Sequence, residues 1–406
     1  MRSLYTISIL AYSFAVRVAS LFNSKAKLFF SGRKNLFTDL EQRCAAPGFR
    51  NARLVWFHCA SLGEFEQGRP LIEAYRRKFP EHKILLTFFS PSGYEIRKNY
   101  PGADIICYLP IDKPANAKRF LDQVNPAAAF FVKYEFWFNY LAELKKRNIP
   151  VYLVSGIFRE DHHFFKSSGG WFRRQLNAFT YFFLQDESSL ERISSIGYKN
   201  AMVSGDTRFD RVAEVVKGVK QFEIVKEFAG SSKVFILGSS WPEDEKLISN
   251  SHISDFKLII APHEIGEAHI KNIEALFAGS IRYSKADEKN IAAAKVLIID
   301  NIGMLSSLYQ YGTIAFIGGG FGKGIHNILE AAAFGMPVIF GPNYHKFAEA
   351  KDLVKLGGAF EIRDEAELKK VMALLEDVQV LKTAAQVSKL YVQGRTGATE
   401  KILANL

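Results

Sequence analysis

Side chains able to do acid–base or electrostatic chemistry lie just downstream of short apolar runs. Leu54–Ala60 leads into Ser61, Leu62, Gly63 and Glu64. Gly63 permits a tight turn, and a carboxylate at Glu64 can take a proton from a hydroxyl as a general base. The helix dipole alone also favours an acidic residue in a first turn, so the residues serve either reading. Ala127–Val132 runs into Lys133, Tyr134, Glu135, Phe136 and Trp137. There Glu135 could stabilise a cationic centre and Trp137 could pack under a sugar ring, while Lys133 and Glu135 could equally form a surface pair of little energetic weight. Arg208, within GDTRFD at 205–210, has the charge to neutralise a phosphate. Ser239 and Ser240 follow Val234–Leu237, and Pro262 with His263 follows Lys257–Ile260.

The stretch Gly312–Pro342 combines a strand-like run, Thr313–Ile317, with Gly318, Gly319, Gly320, Gly322 and Gly324, a helical pattern from His326 to Gly335, and a second strand-like run, Pro337–Phe340. A strand, glycine loop, helix and strand make a βαβ unit whose helix start offers free N–H groups to a phosphate. Asn327 and Glu330 share one helix face, where the carboxylate could hold ribose hydroxyls. An ordinary glycine turn in an α/β sheet would carry the same spacing, and the stretch matches neither a Walker loop nor an N-terminal GxGxxG. HExxH, GxSxG and carboxylate clusters with ligand spacing are all missing, which argues against a metal hydrolase or a serine esterase.

Two series of elements must position these groups. Strand-like runs at Leu54–Ala60, Lys83–Phe89, Asp104–Tyr108, Ala127–Val132, Val151–Ser155 and Tyr181–Leu184 alternate with helical patterns such as Phe65–Phe79, Pro114–Val124 and Phe136–Arg147. A second series comprises Val234–Leu237, Lys257–Ile260, Lys295–Ile299, Thr313–Ile317 and Pro337–Phe340. Such alternation predicts parallel, doubly wound sheets, and ligands then gather at the carboxyl ends of the strands. The reading divides the chain into a segment 1–30, a domain 31–206 and a domain 207–406, with the C-terminal helices packing back on the first domain. At 406 residues and 48% hydrophobic content, two cores are affordable in size. The excess of 53 Lys and Arg over 42 Asp and Glu, 53 − 42 = 11, favours anionic partners. Cys44, Cys59 and Cys107 have no CxxC spacing, so neither a disulfide framework nor a zinc site is expected. Residues 4–22 are apolar, with Thr6, Ser13, Arg17 and Ser20 forming a polar stripe on a helix, and Lys25, Lys27, Arg33 and Lys34 follow. This predicts an uncleaved membrane anchor, spanning or lying at the surface, with the main body on the cytoplasmic side.

The ordered set HCASLGE (58–64), KYEFW (133–137), GDTRFD (205–210), GSSWPEDE (238–245), APH (261–263) and GGGFGKGIHNILEAA (318–332), preceded by the apolar segment and GRK (32–34), resembles the 3-deoxy-D-manno-octulosonic acid (Kdo) transferases over nearly the whole chain. The resemblance implies an α/β chain of the GT-B glycosyltransferase architecture, with two Rossmann-like domains facing a central cleft. It further implies an inverting transfer of Kdo from CMP-Kdo to a lipid A precursor at the cytoplasmic face of the inner membrane, with no metal, no other cofactor and no nucleic acid. Glu64 then falls on the catalytic base, and Glu135 and Arg208 on transition-state stabilisers. Pro262, His263, Ile302, Gly303, Met304, Asn327, Ile328, Leu329 and Glu330 fall on donor-binding positions. Ser61, Gly63, Lys133, Ser239, Ser240, Gly319, Gly320 and His326 border them. The chain departs from the commoner pattern at Arg208 (for Lys), His263 (for Arg), Met304 (for Glu) and Phe138 (for Pro). Arg208 keeps the charge with a different geometry, whereas His263 carries no permanent charge. Two other classes are compatible with parts of the pattern: a sugar-nucleotide epimerase of the same fold, which would need no lipid acceptor, and a non-catalytic protein that binds anionic membrane lipid.

Overall fold

The computed structural model describes residues 1–49, 52–251, 253 and 255–406, with Glu288 and Lys289 described by their backbone alone. The chain forms two compact units, Met1–Arg211 joined by Gly397–Leu406, and Val212–Thr396.

The N-terminal unit is built on seven parallel strands: β1 Leu54–Cys59, β2 Lys83–Phe88, β3 Ile105–Tyr108, β4 Ala128–Val132, β5 Val151–Gly156, β6 Tyr181–Leu184 and β7 Ala201–Val203, in the order β3-β2-β1-β4-β5-β6-β7. Each central strand is apolar on both faces. Trp56, Leu85, Phe131, Leu153 and Phe182 pack in one core layer, and Val55, Phe57, Leu86, Phe130 and Phe183 in the other. Helices cover both faces of such a sheet, which is why these runs are continuously hydrophobic rather than alternating. The order reverses between β1 and β4, so loops leaving their carboxyl ends diverge and open a crevice there. Glu64 and Glu135 follow these two strands.

The C-terminal unit repeats the plan with β8 Val234–Ser240, β9 Lys257–Pro262, β10 Ile281–Arg282, β11 Val296–Ile298, β12 Ile314–Ile317, β13 Val338–Phe340 and β14 Ala359–Glu361, ordered β10-β11-β9-β8-β12-β13-β14 and all parallel. Its reversal lies between β8 and β12, the strands that lead into Ser239–Ser240 and the glycine loop. The strands that sequence periodicity misses, β7, β10 and β14, are edge or near-edge pieces of two or three residues, too short for an apolar run to stand out.

The chain's last ten residues leave the C-terminal unit. Asp210 accepts the N–H groups of Gly397 and Thr399, each at 2.6 Å, and so caps the final helix, Ala398–Ala404. Ile402 is fully buried in the same core layer as Leu71 and Ile72 of the helix Leu62–Lys78.

At the other end, the helix Arg2–Ala19 docks through Tyr5, whose hydroxyl donates to Asp112 Oδ2 at 2.6 Å, and through Arg2, whose Nε donates to Asn139 Oδ1 at 3.0 Å. Burial holds the Asp112 carboxyl up at about 6. None of the helix's residues is buried. Tyr5, Thr6, Ile9, Ser13, Val16 and Ser20 are the half-buried ones, whereas Leu4, Ile7, Leu10, Phe14 and Val18 are exposed. The polar stripe therefore turns towards protein and the apolar face turns outward, the reverse of an ordinary docked helix. Among the described residues no helix is long and apolar enough to cross a membrane, which removes the spanning form of the expected anchor.

Candidate functional site

In the N-terminal unit, Ser61 is the N-cap of the helix Leu62–Lys78. Its Oγ accepts the Gly63 N–H at 3.2 Å and donates to Glu64 Oε2. Ser-x-x-Glu is the capping-box spacing, so cap chemistry orients this carboxylate. Glu64 is nevertheless only half-buried. Glu135 is held differently. Its Oε2 accepts Trp137 Nε1–H at 2.6 Å and lies 3.3 Å from Nε2 of the fully buried His58.

Arg208 reaches the same end of the sheet because Gly205, with φ +98°, turns the chain back after the edge strand β7. Thr207 Oγ1 then donates to the Gln67 carbonyl and pairs with Ser155 Oγ at 3.0 Å. The Arg208 guanidinium bonds Asp206 Oδ2 through Nε at 2.8 Å and Nη2 at 2.7 Å, and Gln67 Nε2 donates to the other Asp206 oxygen at 2.8 Å. Two intervening groups show how close these charges are. Burial, followed by the carboxylates of Glu64 and Glu135, pushes the Cys59 thiol well above its ordinary value. The Tyr134 phenol is raised by burial, lowered by Arg159 and Arg208, and raised by Glu64. Cys59 thus feels Glu64 and Glu135, and Tyr134 feels Glu64 and Arg208. Beside Glu135 opens a cavity of ≈ 680 Å³, lined by Tyr134, Trp137, Phe138, Arg159 and His162 and by Tyr5 of the first helix. Lys133 takes a positive φ of 71° and lays its ammonium 5.3 Å from the Tyr134 ring centroid.

The C-terminal unit brings His263 and His326 together around Trp241. His263 stacks on Trp241 (4.8 Å) and on His326 (4.3 Å), and Trp241 Nε1 donates to His326 Nε2 at 3.0 Å. Burial, aided by His263, lowers His326 to about 4, so at neutral pH it is an uncharged acceptor for that indole. Asn327 Oδ1 accepts the Leu329 N–H, and its Nδ2 donates to Glu330 Oε1, both at 3.1 Å. Ile302 is fully outside the core at 86% exposure, Gly303 takes φ +97°, and Met304 is buried.

Four sequence expectations change here. The helix expected at His326–Gly335 is only Leu329–Ala333, because residues 324–328 take no regular structure, with His326 N–H donating to Gly318 O at 3.2 Å. Asn327 caps the first N–H of this short helix. Ile328 and Leu329 are buried core residues whose side chains cannot touch a ligand. The close approach made at Gly318, Gly319 and Gly320 is to the protein's own chain: a β-carbon there would lie 2.4 Å from Ser239 O, 2.5 Å from Gly324 O and 2.5 Å from Gly341 N respectively. Ser240 is likewise occupied, its buried hydroxyl donating to Glu245 Oε1 at 2.7 Å. Sequence reasoning passed over Asp244, which is buried and ties this loop down by accepting the N–H groups of Trp241 (2.9 Å) and Gly319 (3.0 Å). It also missed His58 and Thr87, for which a polar residue inside an otherwise apolar strand was the available signal.

Two Rossmann-like parallel-sheet units in tandem, each with its polar loops at the reversal of strand order, place the chain in the GT-B fold class. Solved structures of that shape agree. UDP-GlcNAc 2-epimerase from Neisseria meningitidis superposes with a TM-score of 0.60 at 16% identity, covering 86% of this chain and 98% of that one. MurG from Acinetobacter baumannii gives 0.54 at 14%, covering 87% and 98%. The sequence profile of the 3-deoxy-D-manno-octulosonic-acid transferase (kdotransferase) family matches residues 38–211. The 3-deoxy-D-manno-octulosonic acid transferase of Aquifex aeolicus is 29% identical over 350 residues, 84% of this chain and 92% of that protein, and that of Rickettsia bellii is 27% identical over 343 residues, 80% of each. Most of the chain is therefore similar to Kdo transferases, relatives that indicate a glycosyltransferase of lipopolysaccharide biosynthesis.

Proposed function

We propose that the protein transfers Kdo from CMP-Kdo to a hydroxyl of a lipid A precursor, with inversion and without a metal or other cofactor. The observation that supports this reading is the placement of Glu64 and Glu135 after β1 and β4, where the strand order of the N-terminal sheet reverses. In this reading the acceptor oxygen attacks C2 of Kdo and gives its proton to Glu64, while the bond from C2 to the phosphate oxygen breaks and CMP departs with the electron pair. Positive charge that develops at C2 faces the Glu135 carboxylate, and Arg208 offsets the charge leaving on phosphate. Asn327 and Glu330 are the polar groups proposed to hold the donor's nucleoside, beside the Trp241–His263–His326 stack.

The acceptor would be met at a membrane surface. The outward apolar face of the helix Arg2–Ala19, continued by Leu21 and Phe22 at 75% and 88% exposure, suits insertion into a lipid interface. Six Lys and Arg residues precede Asp39, the first acidic residue of the chain, which suits an anionic cytoplasmic leaflet.

The test is product mass analysis with purified protein, CMP-Kdo and a tetraacyl lipid A precursor, for wild type and Glu64→Gln. The variant is expected to fold normally and lose transfer by roughly 10²–10⁴-fold, the usual worth of base catalysis. Near-wild-type transfer by the variant removes Glu64 from the role. A new sugar nucleotide formed without acceptor would instead point to epimerase chemistry.

A further inference from the structure

His58 sits at the carboxyl end of β1, fully buried, behind Glu135. Its Nδ1 is 2.8 Å from Thr87 Oγ1, which also accepts Trp56 Nε1–H at 2.8 Å. On the other side, Nε2 is 3.3 Å from Glu135 Oε2, and the Trp137 Nε1–H is directed at both, 2.9 Å from Nε2 and 2.6 Å from Oε2. Trp56, Thr87, His58, Trp137 and Glu135 therefore form one chain of polar groups running from the sheet interior to the carboxylate.

Counting donors and acceptors places the protons. Both indoles can only donate, and a hydroxyl has one proton to give. If His58 carried its proton on Nδ1, Thr87 Oγ1 would accept twice, and its own hydrogen would point into the core with no acceptor among the described residues. That is costly for a side chain with no exposure. With the proton on Nε2, Thr87 donates to Nδ1 and His58 to Glu135 Oε2, while the Trp137 N–H gives up its 2.9 Å approach to Nε2 for the shorter 2.6 Å bond to that oxygen. Every donor then has an acceptor. Both bonds fall on Oε2, which leaves Oε1 as the oxygen available to a ligand.

We infer that His58 is a positioning residue which, keyed from behind by Thr87, fixes the tautomer and the direction in which Glu135 presents its free oxygen. The inference rests on the proposed role of Glu135 as a stabilising carboxylate. A carboxylate held from one side by two donors cannot swing, and a misplacement near 1 Å in such a group costs on the order of 10²-fold in rate. A histidine serving only to fill the core would contribute to stability without touching the chemical step.

The experiment is steady-state kinetics of CMP release for wild type, Glu135→Gln, His58→Asn and the double variant, with thermal melts to verify folding. His58→Asn is expected to lower kcat by about 100-fold, with KM for CMP-Kdo and for the acceptor little changed. In the Glu135→Gln background the same substitution should cost less than about twofold, because residues acting through one another are not additive. Thr87→Val should lower kcat in the same direction and Thr87→Ser should restore it, a pair that still decides the matter if His58→Asn does not fold. Wild-type kcat in folded His58→Asn, additive losses in the double variant, or equal rates for Thr87→Val and Thr87→Ser would each overturn the positioning role. If Glu135→Gln itself keeps wild-type kcat, the reading of Glu135 fails first and takes the inference with it. If Glu135→Gln is slow and His58→Asn is not, only the inference fails.

Discussion

Arg208 is oriented before any substrate arrives. Asp206 grips its guanidinium through two nitrogens, and Gln67 fixes Asp206 in turn. This lowers the entropy lost when a phosphate is bound, but it also shares the positive charge with a carboxylate. If the proposed role is right, Arg208→Gln should lower kcat for CMP release by roughly 10²–10³-fold, as for other groups aimed at developing charge. Arg208→Lys should retain more activity than Arg208→Gln, because charge survives while the two-bond fork does not. Equal loss in both variants would mean that the fork, not the charge, is what the reaction needs.

The elements of the C-terminal unit show how a glycine run can be explained by architecture. Gly319 sits at φ +89° with Gly324 O where a β-carbon would go, and Asp244 clamps its N–H. Burial raises the Asp244 carboxyl to about 6, and its buried Oδ1 has no hydrogen-bond partner among the described residues. A folded value above the ordinary 3.8 means that the fold favours the protonated acid. The associated stability is complete below that ordinary value and is lost as pH rises through about 6. The gap in Tm between wild type and Asp244→Asn should therefore shrink from about pH 4 to about pH 7. A gap constant over that range would show that Asp244 does not change its protonation there.

For the whole molecule, the proposed membrane contact rests on the first helix. Its docked stripe includes Thr6 and Ser13 while Leu4, Ile7 and Phe14 face away, an arrangement that leaves apolar area uncovered unless lipid meets it. Vesicle flotation should show stronger binding to anionic than to zwitterionic membranes. Each Lys or Arg near the surface adds about 1 kcal/mol, and binding should weaken as salt rises. Phe14→Ser with Phe22→Ser should reduce binding at every salt concentration. Equal binding of wild type and this double variant would exclude the helix as the contact.

Sequence alone determined the two α/β series, because buried parallel strands must be continuously apolar and their spacing survives as a one-dimensional pattern. It also marked Glu64 and Glu135 as charged residues at the ends of such strands, whereas the roles given to them and to Arg208 came only from the resemblance to Kdo transferases. Only the tertiary structure decided that Gln67 fixes the Asp206 that holds Arg208, that His58 stands behind Glu135, that Ile328 and Leu329 are core, and that the glycines meet backbone. The physical reason is that each of these depends on a contact between residues far apart in the chain, and periodicity carries no information about which distant group fills a given space.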